Sequence, residues 1–511
     1  MARRPFRGLR ERPPRARYDA VVVGAGIGGL FCANLLAREG LSVLLVEQHY
    51  MVGGLCSTFR RAGFTFDAAT HFYPLLGNRE TLPGRLLADL GVDTGWVKMD
   101  PVDTFHFPDG SRFAVPAELD DYLPAVKARF PHQAAALDRF FVEVREAYLL
   151  GLLAYFRDRE TPRLLRYRDL TLRQVLDRHF DDERLKLLLA ADCPHWGSPP
   201  SRISFVFDSM LRLSYFLGNY YPAGGSQAFA DALAQRFEER GGDILMSTSV
   251  DRIVVENGAA VGIEGETDRG PLRGRHQVSA GVVISNADLR LTLERLLGGE
   301  AGAEAVTADY GLPALRPSWP CYLTHVGLAG VSHDDLEQAQ GYYWQGWDAD
   351  ALGNVGDFRR GTLTCKIFVP TLYEPQMAPP GKQVVILQKV MPVDYAGVGD
   401  WEAHKAEVQE FLLSRLEAAL PGVSRHVETA TTATALTTWR FTRNEQGAML
   451  GWEMAPDQLG AARPGVVGPV RNLFLTGHWV RPGGGVTPVI VSALHAAAAV
   501  LGKPLAAGVG Y

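Results

Sequence analysis

The sequence predicts an α/β fold in which one domain is assembled from separated segments of the chain. Three observations carry that reading. First, the apolar run Ala20 to Val23 reads as a buried strand and passes directly into Gly24-Ala25-Gly26-Ile27-Gly28-Gly29, after which Leu30 to Arg38 continues as a helix. Second, Val43 to Val46 is another buried strand and ends at Glu47. Third, the pattern returns near the far end. Asn472 to Gly477 reads as a strand, Pro482 to Gly485 as a loop and Val486 to Leu501 as a helix, with Pro488 near its first turn, where proline is tolerated.

Strand, GxGxxG turn, helix and a terminal acid on the second strand are the parts of a Rossmann-type dinucleotide-binding domain. Each glycine has a physical task. Gly24 permits the tight turn, Gly26 lets a pyrophosphate approach the backbone, and Gly29 lets helix and strand pack closely. The phosphates sit on free amides at the positive end of the helix dipole. Glu47 stands where an acid reaches the ribose hydroxyls. This fingerprint alone does not choose between NAD and FAD, and a glycine-rich turn can also exist without a ligand. No second GxGxxG follows a strand. One permanently held dinucleotide therefore fits better than a dissociating pair.

Between these segments the pattern changes twice. Gly53-Gly54 suggests backbone passing very close to something flat or charged. Trp96 to Val115 reads as strands, with Pro108-Asp109-Gly110 as a hairpin turn. From Ala117 to Phe216 the pattern is helical and charge-rich, with an apolar cluster at Leu149 to Phe156. A helix runs from the Tyr221-Pro-Ala-Gly-Gly-Ser226 segment to Arg240. Strands follow at 243–246, 249–255, 260–263, 282–287, 322–328, 363–369 and 383–389. The expected division is a basic tail (1–17), a dinucleotide-binding domain (18–95, 220–290 and 465–511), a mixed-sheet substrate domain (96–116 and 291–464) and a helical subdomain (117–219).

Composition removes several function classes. At 511 residues, two or three domains are expected. The net charge of −5 gives no pull toward nucleic acid. Seven arginines and one glutamate crowd the first 17 residues, but no apolar core segment accompanies them, so they do not read as a secretory signal. They read as a disordered tail or as attraction to an anionic membrane surface. The five cysteines are spread without a CxxC, which argues against a zinc site, any other metal site or a disulfide framework, and suits a reducing cytoplasm. Cys32 and Cys56 read as structural. No run of 18 apolar residues suggests a membrane span. The expected location is cytoplasmic, with peripheral membrane contact; oligomeric state is left open.

In order, the motifs resemble the flavin-dependent carotenoid (phytoene) desaturase and carotenoid isomerase family, within the wider amine-oxidase-like flavoproteins. The residues that carry the resemblance are Val22 to Gly29, Gly53-Gly54 with Phe66-Asp67, Tyr221 to Ser226 and Val250 to Ile253. Further on they are Val283 to Asp288, Ala378 to Lys382, Gln446-Gly447 with Gly451-Trp452, and Asn472 to Trp479 followed by Pro482 to Val486. The resemblance covers nearly the whole chain past the tail. It implies non-covalent FAD, since the last motif has no cysteine for a thioether. It places Gly24, Gly26, Ile27, Gly28, Gly29, Glu47 and Gln48 around the adenosine and phosphates, and Val250 at the adenine through its backbone. Gly53, Gly54 and Leu55 fall beside the flavin, with Asn286 also at the cofactor. Gly477, His478, Gly485 and Val486 fall at the pyrimidine edge, where a helix N-terminus favours the negative charge of the reduced ring. Many relatives have arginine after the paired glycines; here it is Leu55, so Arg60 or Arg61 is expected to take the phosphate role.

The implied activity is desaturation or cis–trans isomerisation of a carotenoid or related polyisoprenoid. A retinol-saturase-like polyene reductase and an amine-oxidase-like flavoenzyme are the alternatives. The flavin is expected to carry the chemistry, with His71 and Trp479 as candidate catalytic residues. Tyr215, Phe216, Tyr220, Tyr221 and the Tyr342 to Trp347 cluster are candidates for an apolar substrate tunnel.

Overall fold

The structure, a computed structural model, describes residues 12–157, 161–298, 310–353 and 364–503, together with Phe6, Gly8, Leu9 and Arg159. Two seven-stranded sheets and a helical layer build it. The first sheet has its parallel centre at the strand Arg17–Val23, flanked by Val43–Val46 on one side and Gly274–Ser285 on the other. Asp243–Leu245 extends one edge in parallel, and Leu473–Leu475 adds in parallel beside Gly274–Ser285. Val43–Val46 is buried at every position because helices cover one face, while on the other Leu44 and Val46 join a core with Ile253, Ile263 and Leu293. The covering helices are Ile27–Arg38, Ser226–Glu239 and Val486–Leu501. Such two-sided burial is why this stretch reads as a continuous apolar run rather than an alternating one.

Gly274–Ser285 is longer than the strand expected at 282–287. Its first half pairs antiparallel with Ala259–Thr267, which in turn pairs with Thr248–Glu256. Its second half runs parallel to Arg17–Val23. One strand therefore ties a solvent-facing meander to the dinucleotide-type core. Asn257-Gly258 makes the expected turn, with Asn257 at φ +50°.

The second sheet is mixed. Its order is Val427–Ala433, Cys321–Ala329, Lys382–Val390, Cys365–Phe368, Gly341–Tyr343, Asp103–His106, Arg112–Val115. Among the described residues, only the Gly341–Tyr343 and Asp103–His106 pair of this sheet is parallel. Helix Trp401–Ala419 packs on one face. The other face meets the helical layer, in which Ala134–Gly151 packs along Phe205–Phe216 and continues into a π-helical turn, Leu152–Phe156.

Part of the basic tail is ordered against the first sheet, which corrects the expectation of a free tail. The Leu9 amide donates to the Ile244 carbonyl at 2.7 Å, and Arg12 pairs with Asp243 at 2.7 Å. Arg15 also reaches Asp243, at 3.5 Å. These two guanidiniums are engaged by a sheet-edge carboxylate rather than free for an anionic surface. Arg3, Arg4, Arg7 and Arg10 lie outside the described residues. Among the described residues, no helix is long and apolar enough to cross a membrane.

Candidate active site

A cavity of about 740 Å³ runs from the GxGxxG turn into the helical layer. At its first end the chain removes side chains. A Cβ on Gly29 would lie 2.0 Å from the Gly24 carbonyl oxygen, so only glycine lets the helix Ile27–Arg38 sit against the strand end. Gly29 does not itself line the cavity; Gly24, Gly26, Ile27 and Gly28 do. Gly26 caps that helix without any side-chain hydrogen bond, which leaves first-turn amides facing the cradle. Asn286 fills the space beside it. Its Nδ2 donates to the Gly24 carbonyl at 3.3 Å, and a Cβ on Gly28 or on Gly477 would meet its Oδ1 at 2.6 Å.

The paired glycines dock on the same turn. The Gly53 amide donates to the Ala25 carbonyl at 2.8 Å, with φ +112° at Gly53. Glu47 accepts the Ala25 amide on Oε2 at 2.7 Å and the His49 amide on Oε1 at 2.8 Å. Burial raises its carboxyl above the ordinary range, against the pull of those amides. A carboxylate has about four acceptor positions, so lone pairs remain for ligand hydroxyls. Gln48, Leu55 and Val250 also line the wall. The ladder slips between Val250 and Arg252, which leaves Asp251 outside the pairing.

The third contribution comes from the C-terminus. Gly477, His478, Gly485 and Val486 all line the cavity. Gly485, at φ +106°, caps helix Val486–Leu501 with no side-chain bond, so a second uncapped helix start faces the same space. His478 Nε2 lies 3.3 Å from Asn444 Oδ1. Burial, reinforced by the charge of Arg463, pushes its pKa down to about 3, so the ring is neutral.

Several expectations need correction. Trp479 is outside the cavity wall. It packs edge-on against Trp452, with ring centres 4.7 Å apart, and its Nε1 points to Asn444 Oδ1 at 3.4 Å. Both residues lie in the turn that follows the strand Leu473–Leu475, which sends His478 to the cavity and Trp479 into the core. Arg60 and Arg61 sit on the exposed hairpin strand Thr58–Arg61, away from the cavity, and Arg61 reaches Thr431. The cations that do line it are Arg295 and Arg443. Arg443 Nε lies 3.4 Å from Gln48 Oε1. Of the expected tunnel aromatics, Tyr215 lines the cavity; Phe216, Tyr220, Tyr221 and the Tyr342 to Trp347 cluster do not. Tyr221 instead hydrogen-bonds the buried Asp67, whose carboxyl burial pushes up to about 6.

His71 does line the cavity. It is only 4% exposed, shares Nδ1 with the Ala69 carbonyl at 3.0 Å, and stacks on Phe368 at 4.3 Å between ring centres. Its Nε2 has no partner among the described residues. Burial pushes its pKa down to about 3. Beyond it, the far arm is walled by Tyr148, Leu152, Tyr155, Phe156, Met210 and Tyr215. His195, which also lines the cavity, gave no signal in the sequence. It stands in a single turn, Cys193–Trp196, and only the packing of the helical layer on the second sheet brings it there.

The sequence profile of the family described as flavin containing amine oxidoreductase matches residues 27–293 and 345–501. The chain is similar to the phytoene desaturase (neurosporene-forming) of Cereibacter sphaeroides, at 27% identity over 93% of each chain. It is also similar to the all-trans-retinol 13,14-reductase of Homo sapiens, at 26% identity over 90% of this chain and 82% of that one. Similarity to the chloroplastic prolycopene isomerase of Daucus carota is 24% identity over 95% and 80%. Among solved structures, an oxidoreductase from Methanosarcina mazei superposes with a TM-score of 0.66 at 19% identity, over 95% of this chain and 100% of that one. Putrescine oxidase bound to putrescine does so at 0.63 and 14%, over 96% and 99%. With the profile matched over most of its length and this fold beneath it, the chain belongs to the flavin containing amine oxidoreductase family.

Proposed function

We propose that the protein is an FAD-dependent oxidoreductase acting on a carotenoid or related polyisoprenoid, by desaturation or by cis–trans isomerisation. One observation carries this reading: the glycine cradle opens into an apolar, aromatic arm with no carboxylate in it. Among the described residues, the carboxylates in the cavity wall are those of Glu47 and Asp251, both at the cradle end. A cationic amine would find no counter-charge in the arm, whereas a hydrocarbon needs none. This favours a polyene over the amine-oxidase alternative. The names of the relatives, phytoene desaturase and prolycopene isomerase, support the same class. A retinol-saturase-like reduction remains the second reading, supported by the similarity to retinol 13,14-reductases.

FAD is the flavin that two uncapped helix starts and a side-chain-free cradle fit, because a dinucleotide presents charge at both. Gly24, Gly26, Ile27, Gly28, Glu47, Gln48, Val250 and Asn286 would hold the adenosine and phosphates. Gly53, Gly54, Leu55, Gly477, His478, Gly485 and Val486 would hold the ring system. Binding would be non-covalent, since residues 477–486 contain no cysteine. When bound, a flavin supplies two-electron exchange with carbon. The chain's own residues orient the polyene, exclude water and, through the neutral His71, offer a hydrogen-bonding nitrogen beside it.

The segments 18–95, 220–290 and 465–511 would make the cofactor half, and 96–116, 291–464 and 117–219 the substrate half. Entry from a membrane surface would suit so apolar a substrate. Leu149 and Leu217 are 60% and 44% exposed, in a groove that shares Tyr148 with the cavity wall.

The test is incubation of FAD-loaded protein with phytoene, prolycopene and all-trans-retinol, with the flavin oxidised or reduced. Loss of two hydrogens per step, unchanged mass with shifted retention, or gain of two hydrogens identifies desaturation, isomerisation or saturation. Turnover of short-chain amines without any polyene conversion would refute the proposal.

A further inference from the structure

A buried charged group stands directly behind the substrate arm. Lys366, on the strand Cys365–Phe368, has no exposed side-chain surface, and its Nζ lies 2.6 Å from Asp103 Oδ2. The register of the mixed sheet puts them together: Lys366 pairs with Tyr342, and Tyr342 pairs with Phe105 on the strand that begins at Asp103. The same Nζ lies 3.3 Å from His195 Nε2 and 4.0 Å from the centre of the Phe72 ring. His195 and Phe72 line the cavity, whereas Lys366 and Asp103 do not. His195 Nδ1 has no partner among the described residues. The His71 ring stands 5.8 Å away.

Structural pairing explains Lys366 and Asp103 but leaves two things over. A buried ion pair is an expensive way to fill a core. The lysine also spends a donor on an imidazole that faces the cavity. Building on the proposed polyene chemistry, we infer that Asp103, Lys366 and His195 form a proton relay and that His195 exchanges a proton with the substrate.

The chemistry follows from the hydrogen-bond roles. Beside a carboxylate, Lys366 is the ammonium and can only donate, so His195 Nε2 must accept and Nδ1 must carry the hydrogen. When hydrogen is added across a C=C bond, one hydrogen arrives with the electron pair, as a hydride that the reduced flavin of the proposed reaction would supply, and the other as a proton. His195 gives its Nδ1 proton to the carbon while Nε2 takes one from Lys366. The ring stays neutral, and the relay resets when Nδ1 takes a proton from water reaching the cavity and Nε2 returns its own to the Lys366 amine. Removal of a proton from substrate needs the relay in its other state, Nε2–H beside the neutral Lys366 amine with Nδ1 open; the same transfers then run in reverse, with the oxidised flavin of the proposed reaction as the electron acceptor. Burial lowers the Lys366 ammonium and raises the Asp103 carboxyl, which brings their proton affinities together. Burial, with the charge of Lys366, holds His195 well below the usual histidine range. Other titratable groups facing the cluster include His71, His106, Tyr373, Asp192, whose carboxyl burial raises to about 7, and the buried Tyr215 and Tyr342.

Two measurements on the FAD-loaded protein test this. In His195→Gln, the amide oxygen can still accept from Lys366 but cannot pass a proton. Turnover of the polyene should fall about 10²–10⁴-fold with KM changed little, and solvent deuterium should cease to enter the reacting carbon. Added imidazole should restore turnover in His195→Gly. Turnover and deuterium exchange in His195→Gln close to those of wild type would overturn the relay. The second readout needs no substrate. The ¹⁵N shifts of His195 at pH 7 should show the Nδ1–H tautomer; an imidazolium or the Nε2–H tautomer would overturn the relay. A wild type that shows the expected tautomer but converts no polyene would instead overturn the substrate reading.

Discussion

Replacing Gly29 by alanine sets two effects of opposite sign against each other. In an open helix, alanine is better than glycine by about 1 kcal/mol. Here the new methyl would lie 2.0 Å from the Gly24 carbonyl oxygen and 3.3 Å from Asn286 Cβ. The obstructing atom is backbone, held in place because the Gly24 amide bonds the Val46 carbonyl at 2.8 Å. The helix start must therefore retreat by roughly 1 Å, and overpacking of this kind costs about 1–3 kcal/mol or more. The clash outweighs the propensity gain. It also withdraws the uncapped first-turn amides from the cradle, where a change of 1.4 kcal/mol is about tenfold in affinity. Titration of apoprotein with FAD, followed by flavin fluorescence, should show a Kd raised at least about tenfold, with a lower Tm. Gly399→Ala is the control, since nothing lies within 4 Å of the added Cβ. FAD binding by Gly29→Ala within twofold of wild type would refute the reasoning.

Glu47→Gln keeps one acceptor for the Ala25 or His49 amide but turns an NH2 toward the other; an unmet buried donor costs about 1–3 kcal/mol, so FAD titration should give a Kd raised about tenfold or more. Burial pushes the Asp67 carboxyl up to about 6 from its ordinary 3.8, so the native state binds more protons across that window and stability falls as pH rises through it, by at most about 3 kcal/mol; urea midpoints at pH 4, 5, 6 and 7 should be flatter in Asp67→Asn. His71 has the opposite sign: folded near 3 against 6.5, its contribution is present above 6.5 and is lost as pH falls toward 3, so His71→Phe should lessen acid sensitivity in the same titration. Trp479→Phe keeps the ring packing against Trp452 and should leave kcat within a few-fold of wild type; a loss above 100-fold in steady-state assays would return Trp479 to the chemistry.

The cofactor cradle was legible because its demands are local. Glycine is required at 29 by the close approach of the Gly24 carbonyl and favoured at 24, 53, 54, 477 and 485 by positive φ. The sheet-forming runs were legible for the same reason, since two-sided burial leaves a continuous apolar signal. The substrate end was not. Tyr221 and Tyr342 are aromatic residues like Tyr215, yet of the three only Tyr215 reaches the cavity, and Trp479 differs from His478 in which way the turn after Leu473–Leu475 sends it. Arg443 replaced Arg60 and Arg61 in the wall because residues 441–444 fold back beside Gln48. His195 and Lys366 are 171 residues apart and meet only because the helical layer packs on the mixed sheet. The sequence by itself thus determined where the glycine cradle must form, because each close approach there is set by backbone within a few residues. The tertiary structure alone decided which side chains line the rest of the cavity, because those positions depend on the packing of elements far apart in the chain.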